Sequence, residues 1–296
     1  MQGCAWIDGA FVAPEEAKIS IFDWGFLHSD ATYDVAHVWQ GKFFRLDDHL
    51  ERFFASMARL RLDPGQSREE VRAIAHECVR RPGLREAYVE VLCTRGQPEP
   101  GSRDPRTCKN RLMAFAIPFV WIADPDKQRR GLDLVVSDIQ RIAPASVDPR
   151  IKNYHWLDMV LALFQAYEAG GETALLVDAA GNVAEGPGFN VFAVVDGTLV
   201  TPAAGVLEGV SRRTVIELAR AAGLRVELRA LPVAELRRAS EIFLSSTGGG
   251  VIAVARLDGV PIGGRAAGSF GPVTAQLQAA YWALHEDPRY VEAVRY

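Results

Sequence analysis

The chain has 296 residues, 49% hydrophobic and 24% charged, which is typical of a soluble globular protein long enough for two domains. Its net charge of −4 offers no basic surface to nucleic acid or an anionic membrane, and no apolar run approaches the roughly 20 residues that span a bilayer. The amino terminus lacks the features of a signal peptide, and the four cysteines show no CxxC spacing, so we expect a cytoplasmic protein. The six histidines are dispersed without an HExxH motif, so we expect no metal site.

The first part of the chain alternates strands with two helices. Apolar residues recur at helical spacing over residues 46–60, and Ser67-Arg68-Glu69-Glu70 is a capping box that begins a helix running to about residue 80. The predicted strands are a hairpin over 5–11, then 33–40, 42–45, 87–94 and 112–119. Residues 95–110 are rich in Gly, Pro and Arg and predict an exposed loop.

Residues 122–131 show no apolar periodicity and contain Asp124-Pro125-Asp126, so they predict a linker between a small domain at 1–121 and a larger one at 132–296. In the larger domain, Gly and Asn residues mark the turns and helix ends between the predicted strands and helices. The predicted strands are 132–137, 174–177, 190–195, 198–201, 224–231 and 241–246, and the predicted helices are 156–169, 208–222 and 272–284. The fold class predicted from this order is α+β.

Lys152 is unusual because lysine is scarce: only five of the 33 basic residues are lysines, and this one precedes a long apolar segment. A desolvated lysine can lose its proton and attack a carbonyl group, whereas arginine stays charged. Lys152 is therefore a candidate for Schiff-base chemistry. An isolated lysine is more simply explained as solvated, so the argument depends on the residues around it.

Three segments of the second part suit ligand binding. Glu185-Gly186-Pro187-Gly188-Phe189-Asn190 is a tight turn before a strand, where backbone can approach a ligand closely. Residues 205–212 lead into a helix whose free N–H groups can bind an anion. Residues 245–250 place three hydroxyls and three glycines after a strand. Taken alone, the first segment is more simply explained as a hairpin turn after a surface glutamate, and the second is at least as well explained by ordinary helix capping. The third has too many glycines and hydroxyls for a plain connection, but it is not specific to a ligand.

Together, these residues resemble the ordered signatures of fold-type IV pyridoxal-phosphate aminotransferases, a group that includes branched-chain and D-amino-acid aminotransferases. The chain resembles in particular the (R)-selective amine transaminases, through FLHSDATY from Phe26, FRLDDHLER from Phe44, KNxxWxD from Lys152 and EGPGFNV from Glu185. These motifs run in the same order along essentially the whole chain. The resemblance implies a small amino-terminal α/β domain, a larger carboxyl-terminal domain with a mixed barrel-like sheet, and a homodimer with sites built from both domains.

The resemblance also implies which residues hold pyridoxal 5′-phosphate. Lys152 forms the Schiff base and then moves a proton between substrate and cofactor, and Glu185 pairs with the pyridine nitrogen to keep it protonated. The remaining cofactor-binding residues are Arg52, the backbone N–H groups of Val210 and Ser211, the hydroxyl of Thr247, and Asn190.

On the substrate side, the resemblance implies a largely apolar pocket that suits an amine without a carboxylate. Its residues are His28, Tyr33, Val35, Trp156, Phe189, Leu207 and Gly248. Arg103 matches a mobile loop arginine that binds the carboxylate of a keto acid, and Arg95 and Arg106 are further candidates. Gly248 stands where the subgroup often has alanine, and Leu157 where it often has glycine, so substrate size is open.

The leading hypothesis is a transaminase that moves an amino group from an (R)-amine to a keto acid such as pyruvate by a ping-pong mechanism. One alternative is an aminotransferase of the same fold for D-amino acids or branched-chain L-amino acids. A second is a lyase resembling aminodeoxychorismate lyase, and a third is a binding protein that keeps the fold without the cofactor. The expected partners are small amines and keto acids.

Overall fold

The computed structural model describes residues 2–264 and 270–296. Numbered in chain order, the strands are β1 (Cys4–Ile7), β2 (Ala10–Val12), β3 (Ala31–Trp39), β4 (Lys42–Phe44), β5 (Ala87–Thr94), β6 (Arg111–Pro118), β7 (Leu132–Gln140), β8 (Thr173–Val177), β9 (Asn190–Val195), β10 (Thr198–Thr201), β11 (Val226–Leu228), β12 (Glu241–Ser246), β13 (Gly250–Leu257), β14 (Val260–Pro261) and β15 (Val291–Ala293). The helices are α1 (Trp24–His28), α2 (Leu46–Leu60), α3 (Arg68–Arg80), α4 (Pro125–Arg130), α5 (Leu157–Glu168), α6 (Val210–Ala221), α7 (Val233–Leu236) and α8 (Pro272–Ala283). The predicted α+β class is confirmed.

Spatial proximity divides the chain into two compact units. The first unit consists of Met1–Val120, Ile151–His155 and His285–Tyr296, and the second of Trp121–Arg150 and Trp156–Leu284. Residues 122–131, the predicted linker, lie in the second unit and contain α4. The segment that carries Lys152 belongs to the first unit, although it lies far along the chain.

The first unit is built on an antiparallel sheet in the order β15-β4-β3-β5-β6-β1-β2. Helix α2 buries Leu50, Phe53 and Met57 in the core of this unit, as its apolar spacing predicts. Helix α3 begins with the predicted capping box, in which the Ser67 and Glu70 side chains each accept a hydrogen bond from the other residue's backbone N–H. The predicted bounds of both helices are confirmed.

The second unit is built on a mixed sheet in the order β11-β10-β9-β12-β13-β7-β8, with β14 paired to β13. Strand pairs β10–β11, β13–β7 and β7–β8 are parallel, and the others are antiparallel. Its central strands are continuously buried: every residue of β9 and β12 is inaccessible to solvent or nearly so, which is typical of strands covered on both faces.

The structure corrects several predicted elements. The predicted strand 224–231 is reduced to the three residues of β11, and the predicted helix 208–222 begins at Val210, because Gly209 is its N-cap. Strand β13 was missed, since an apolar run beside glycines fits a strand or a buried helical segment equally well. Among residues 2–264 and 270–296, no helix combines the length and apolar character needed to cross a membrane.

Candidate active site

Lys152 is held against strand β3 by its own backbone. Its carbonyl oxygen accepts hydrogen bonds from the Thr32 hydroxyl, at 2.7 Å, and from the Tyr33 N–H, at 3.1 Å. The side chain takes no part in these bonds, and Nζ lies 4.3 Å from the centre of the Tyr33 ring. Because the backbone is anchored to a strand, the amine is presented from a rigid support and contacts an aromatic face.

Arg52 is fixed by a buried carboxylate that the sequence reasoning missed. On strand β3, Asp34 accepts hydrogen bonds from Arg52 Nε at 2.7 Å, Arg52 Nη2 at 2.9 Å and His49 Nδ1 at 2.8 Å. Burial alone would raise the pKa of Asp34, but the charge of Arg52 and these hydrogen bonds hold that pKa well below its usual range. Burial also lowers the pKa of His49, which favours its neutral form. The guanidinium of Arg52 therefore has one defined orientation.

A second missed carboxyl, Glu90 on strand β5, is linked to the surroundings of Lys152. Its two oxygens accept hydrogen bonds from the Tyr154 hydroxyl at 2.6 Å and the Tyr88 hydroxyl at 2.9 Å. The Tyr154 ring stacks on Tyr33 with centroids 4.4 Å apart. Burial raises the pKa of Glu90, and the two hydrogen bonds and the charge of Lys152 only partly oppose this. The environment of Lys152 is therefore acidic and aromatic.

The other residues predicted for the substrate side differ in exposure. Tyr33 and Val35 are buried in strand β3, whereas His28 ends the short helix α1, is exposed and packs edge-on against Trp24. Arg103 lies exposed in the loop before the Pro105–Thr107 turn. These placements leave the predicted roles untested.

The loop arginines separate clearly by their partners. Arg95 is fixed to Asp30 at 2.8 Å and also donates to the backbone of Leu60. Arg106 is paired with Asp104. Arg103 makes no ion pair or hydrogen bond through its side chain with any residue in the described ranges, so it is the arginine of this loop that remains available for a ligand.

In the second unit, Glu185 is a buried carboxylate that accepts hydrogen bonds from Arg141 and from the Leu207 backbone. Arg141 Nε donates to its Oε1 at 3.1 Å, and the Leu207 N–H donates to its Oε2 at 2.9 Å. Arg141 also donates from Nη1 to Asp158 at 2.7 Å. These charge-assisted hydrogen bonds hold Glu185 in one orientation, as a partner for a ring nitrogen requires.

Hydrogen bonds bring together the three segments that the sequence singled out in the second unit. Asn190 donates from Nδ2 to the Leu207 carbonyl at 2.9 Å, which joins the first segment to the second. The Ser246 hydroxyl donates to the Gly188 carbonyl at 2.8 Å and accepts from the Gly248 N–H at 3.1 Å, which joins the first segment to the third. Asn190 is therefore engaged in holding these turns.

Close packing explains the glycines of the first segment. A Cβ on Gly186 would lie 2.2 Å from the Phe189 ring and 2.4 Å from the Ala174 carbonyl oxygen, so no other residue fits there. Gly188 adopts a φ of +85°, which side chains rarely allow, and its nearest neighbours are Ile122 and Trp156. Phe189 is buried, whereas Trp156 is only partly buried, immediately before α5.

An anion fits the amino-terminal end of α6. Gly209 is the N-cap, no side chain caps the helix, and no acidic residue lies in its first turn. The N–H groups of Val210 and Ser211 precede the first acceptor within the helix. The Ser211 hydroxyl is hydrogen bonded to the Tyr281 hydroxyl at 2.9 Å, whereas the assignment to the anion rests on the Ser211 backbone N–H. The Thr247 hydroxyl makes no hydrogen bond to the part of the chain that the structure describes.

Comparison with known proteins decides the family. The model of the amino-transferase class IV family matches residues 31–257. This chain belongs to the class IV aminotransferases. A Methanocaldococcus jannaschii protein whose name places it among branched-chain-amino-acid aminotransferases is 33% identical over 93% of this chain and 94% of its own. The branched-chain-amino-acid aminotransferase of Escherichia coli K12 is 27% identical over 94% of this chain and 92% of its own.

Solved structures give the same family. A branched-chain amino acid aminotransferase from Thermobaculum terrenum, crystallised with pyridoxal phosphate, superimposes with a TM-score of 0.87 at 27% identity, over 100% of this chain and 100% of its own. The fold-type IV architecture and pyridoxal 5′-phosphate as cofactor are thereby confirmed. The groups that the sequence assigned to the cofactor have suitable chemistry: Lys152 is a strand-anchored amine, Glu185 is a carboxylate held by hydrogen bonds, and the amino-terminal end of α6 has no side-chain cap.

Two missed residues carried a signal in the sequence. Asp34 and Glu90 interrupt the apolar runs Ala31–Trp39 and Ala87–Thr94, and an acid inside an otherwise buried strand requires a partner. Arg141 carried no comparable signal, because its partners Asp158 and Glu185 are 17 and 44 residues away in sequence.

Proposed function

We propose that this aminotransferase takes its amino group from primary amines of the (R) configuration that lack a carboxylate, and transfers it to a keto acid such as pyruvate. The single observation that carries this proposal is the acidic surrounding of Lys152. Glu90 acts electrostatically on Lys152 and accepts a hydrogen bond from Tyr154, two residues along the chain. Where Glu90 is ionised, the α-carboxylate of an amino-acid donor would meet a like charge, which disfavours it.

The keto acid nevertheless brings one carboxylate in the second half-reaction. Arg103 suits this role because it is exposed and unpaired among the described residues, whereas Arg95 and Arg106 are held by aspartates. A loop arginine can bind the carboxylate when a keto acid is present and lie in solvent when an amine is bound. We assign the carboxylate of the acceptor to Arg103 on this ground.

Each chain residue has a defined task in this proposal. Bound pyridoxal phosphate supplies an electron-withdrawing ring next to the reacting carbon. Lys152 would hold the cofactor through Nζ, and its amine would move a proton between the substrate carbon and the cofactor. Glu185 holds the proton of the ring nitrogen. Arg52, Thr247 and the N–H groups of Val210 and Ser211 bind the phosphate.

Positioning and substrate contact fall to other side chains. Asn190 keeps the turn before α6 in place through the Leu207 carbonyl. The substrate wall is assigned to His28, Tyr33, Val35, Trp156, Phe189, Leu207 and Gly248. Most of these side chains are apolar or aromatic, so they favour an uncharged substituent over a second charge on the donor.

The second candidate is a branched-chain amino acid aminotransferase, because the relatives and solved structures reported above carry that name. It differs from the first in the donor, since branched-chain amino acids carry a carboxylate next to the reacting carbon. This candidate requires a cation for the donor as well as for the acceptor. Arg103 would then serve both half-reactions.

Half-reactions separate the two candidates. The purified enzyme with pyridoxal phosphate is mixed with (R)- or (S)-1-phenylethylamine, L-leucine or D-alanine, and the loss of the cofactor's visible absorbance is followed. The first proposal expects the fastest change with the (R)-amine. Faster reaction with the (S)-amine or with L-leucine would overturn it. Lys152→Ala provides the control, because the absorbance of the lysine-bound cofactor should vanish.

We propose a homodimer, as the family resemblance implies, and helix α5 supports it. Leu157, Val160, Leu161 and Phe164 are large apolar side chains that are exposed at helical spacing on one face of this helix. A continuous apolar stripe of this kind is typical of an interaction surface. The cytoplasmic location expected from the sequence stays a prediction.

A further inference from the structure

Arg212 is a buried arginine in the first turn of α6. Only 7% of the residue is exposed. Its Nη2 donates to the Pro202 carbonyl at 2.7 Å, and its Nε is buried without a hydrogen-bond partner in the described part of the chain. A guanidinium carries five N–H donors, so this environment leaves much of its capacity unused.

The other strongly buried arginines each have a carboxylate. Arg45 pairs with Asp48, Arg52 with Asp34, Arg95 with Asp30, and Arg141 with Asp158 and Glu185. Arg212 makes no such ion pair with any residue of 2–264 and 270–296. Burial lowers its pKa, and the charge of Glu208, an exposed residue before the helix, only partly opposes this. A buried charge without a partner is costly.

The position of Arg212 increases this cost. The amino-terminal end of a helix carries a partial positive charge, and acidic residues are normally favoured there. In α6 the first turn contains no acidic residue, and Arg212 is its third residue. The side chain starts beside the N-cap, since its Cβ lies 3.3 Å from a Cβ built on Gly209. The first turn of α6 therefore combines the partial positive charge of the helix end with a residue that carries a full positive charge.

We propose that Arg212 is a buried positive charge that attracts the phosphate of the cofactor to the amino-terminal end of α6. The inference rests on the proposed phosphate site at Val210 and Ser211. A phosphate monoester dianion has the charge to neutralise both the guanidinium and the helix end. Arg212 therefore stabilises the protein when a phosphate is bound at this turn and destabilises it when no anion is bound.

A purely structural role for Arg212 predicts the opposite change in the stability of the cofactor-free protein. If Arg212 served only to hold the Pro202 carbonyl and to pack under α6, its replacement would destabilise the protein to the same extent with and without an anion. If Arg212 instead balances the charge of a bound phosphate, its removal should stabilise the cofactor-free protein and weaken phosphate binding. The two roles therefore differ in the sign of the change in the cofactor-free protein.

The test uses the full-length protein freed of cofactor. Thermal unfolding and calorimetric binding are measured with inorganic phosphate, pyridoxal phosphate and pyridoxal for wild type, Arg212→Gln and Arg212→Lys. Arg213→Gln is the matched control, because it removes the same charge from the next residue, which is about half exposed and paired with Glu217. Phosphate and pyridoxal together separate recognition of the phosphate from recognition of the ring.

We expect Arg212→Gln to unfold at a higher temperature than wild type without anion, and to bind phosphate and pyridoxal phosphate about tenfold more weakly, the size of one lost charge-assisted interaction. Pyridoxal binding should not change, Arg212→Lys should keep most of the phosphate affinity, and Arg213→Gln should match wild type. A lower unfolding temperature of Arg212→Gln with unchanged phosphate affinity would overturn the inference. These results are independent of amine turnover, so a protein that rejects (R)-amines but binds phosphate as expected loses only the proposed substrate.

Discussion

Replacement of Asp34 by asparagine tests how the first unit holds Arg52. Asp34 is 1% exposed and accepts four hydrogen bonds, two from Arg52, one from His49 and one from the Val35 backbone N–H. Asparagine has nearly the same size but no charge, and its NH₂ group is a donor that faces other donors. The substitution therefore leaves a buried guanidinium without its anion and forces at least one hydrogen bond to break.

Breaking a buried ion pair by removing one partner costs about 3–5 kcal/mol. Because the Arg52 side chain keeps 13% exposure, we expect the lower end, about 3 kcal/mol in the free energy of unfolding. The pKa of Asp34 is held below its usual range, so its contribution is fully present above the pKa of an unfolded aspartate, about 3.9. It is lost as the pH falls below that value, and the difference between wild type and Asp34→Asn should shrink accordingly.

The assay is urea unfolding at pH 7 and at acidic pH, with pyridoxal phosphate binding measured in parallel. Since Arg52 loses its fixed orientation, cofactor binding should weaken about tenfold as well. Asp104→Asn is the control, because its pair with Arg106 is exposed and screened by solvent, so its loss should change the stability little. An Asp34→Asn protein within about 0.5 kcal/mol of wild type at pH 7 would refute the reasoning.

Three further outcomes follow from the structure. Burial raises the pKa of Glu90, so its stability contribution is complete below the pKa of an unfolded glutamate, about 4.3, and is lost as the pH rises through the raised pKa. Glu90→Gln should therefore gain stability relative to wild type as the pH rises above that value, and an unfolding temperature that changes with pH equally in both proteins would contradict this. Arg103→Ala should raise KM for pyruvate about tenfold and leave the amine half-reaction unchanged, whereas an equal effect on both would assign the residue elsewhere. Phe164→Asp on α5 should yield a monomer in light scattering, with the exposed Glu168→Ala as control, and an unchanged mass would place the interface on another surface.

Local signals account for the elements that were predicted correctly. The capping box at Ser67 and the apolar spacing of Leu46–Leu60 act within a few residues, so α2 and α3 have the predicted bounds. Strand β11 shows the limit of such signals. Residues 224–231 have a strand-like pattern, but only three of them find a partner, β10, in the sheet.

The same limit applies to the site. Lys152 stands out in the sequence because lysine is scarce, whereas Glu185 and the turn before α6 are distinctive only through the order of motifs that the family shares. The family comparison agrees with the class of chemistry that these motifs indicate. The sequence therefore indicated the cofactor and the class of reaction through its resemblance to a known family, and it determined most helices through contacts between near neighbours.

Only the tertiary structure decided which partners surround these residues. Asp34 meets Arg52 and His49, Glu90 meets Tyr154, and Arg141 reaches Glu185 across 44 positions of the chain. Arg212 is likewise buried by the tertiary packing, with no carboxylate partner for its guanidinium among the described residues. Hydrogen-bond partners and burial depend on how segments that are distant in sequence pack against each other, and no local pattern encodes that packing. The protonation and the orientation of the charged side chains at the site follow directly from this packing.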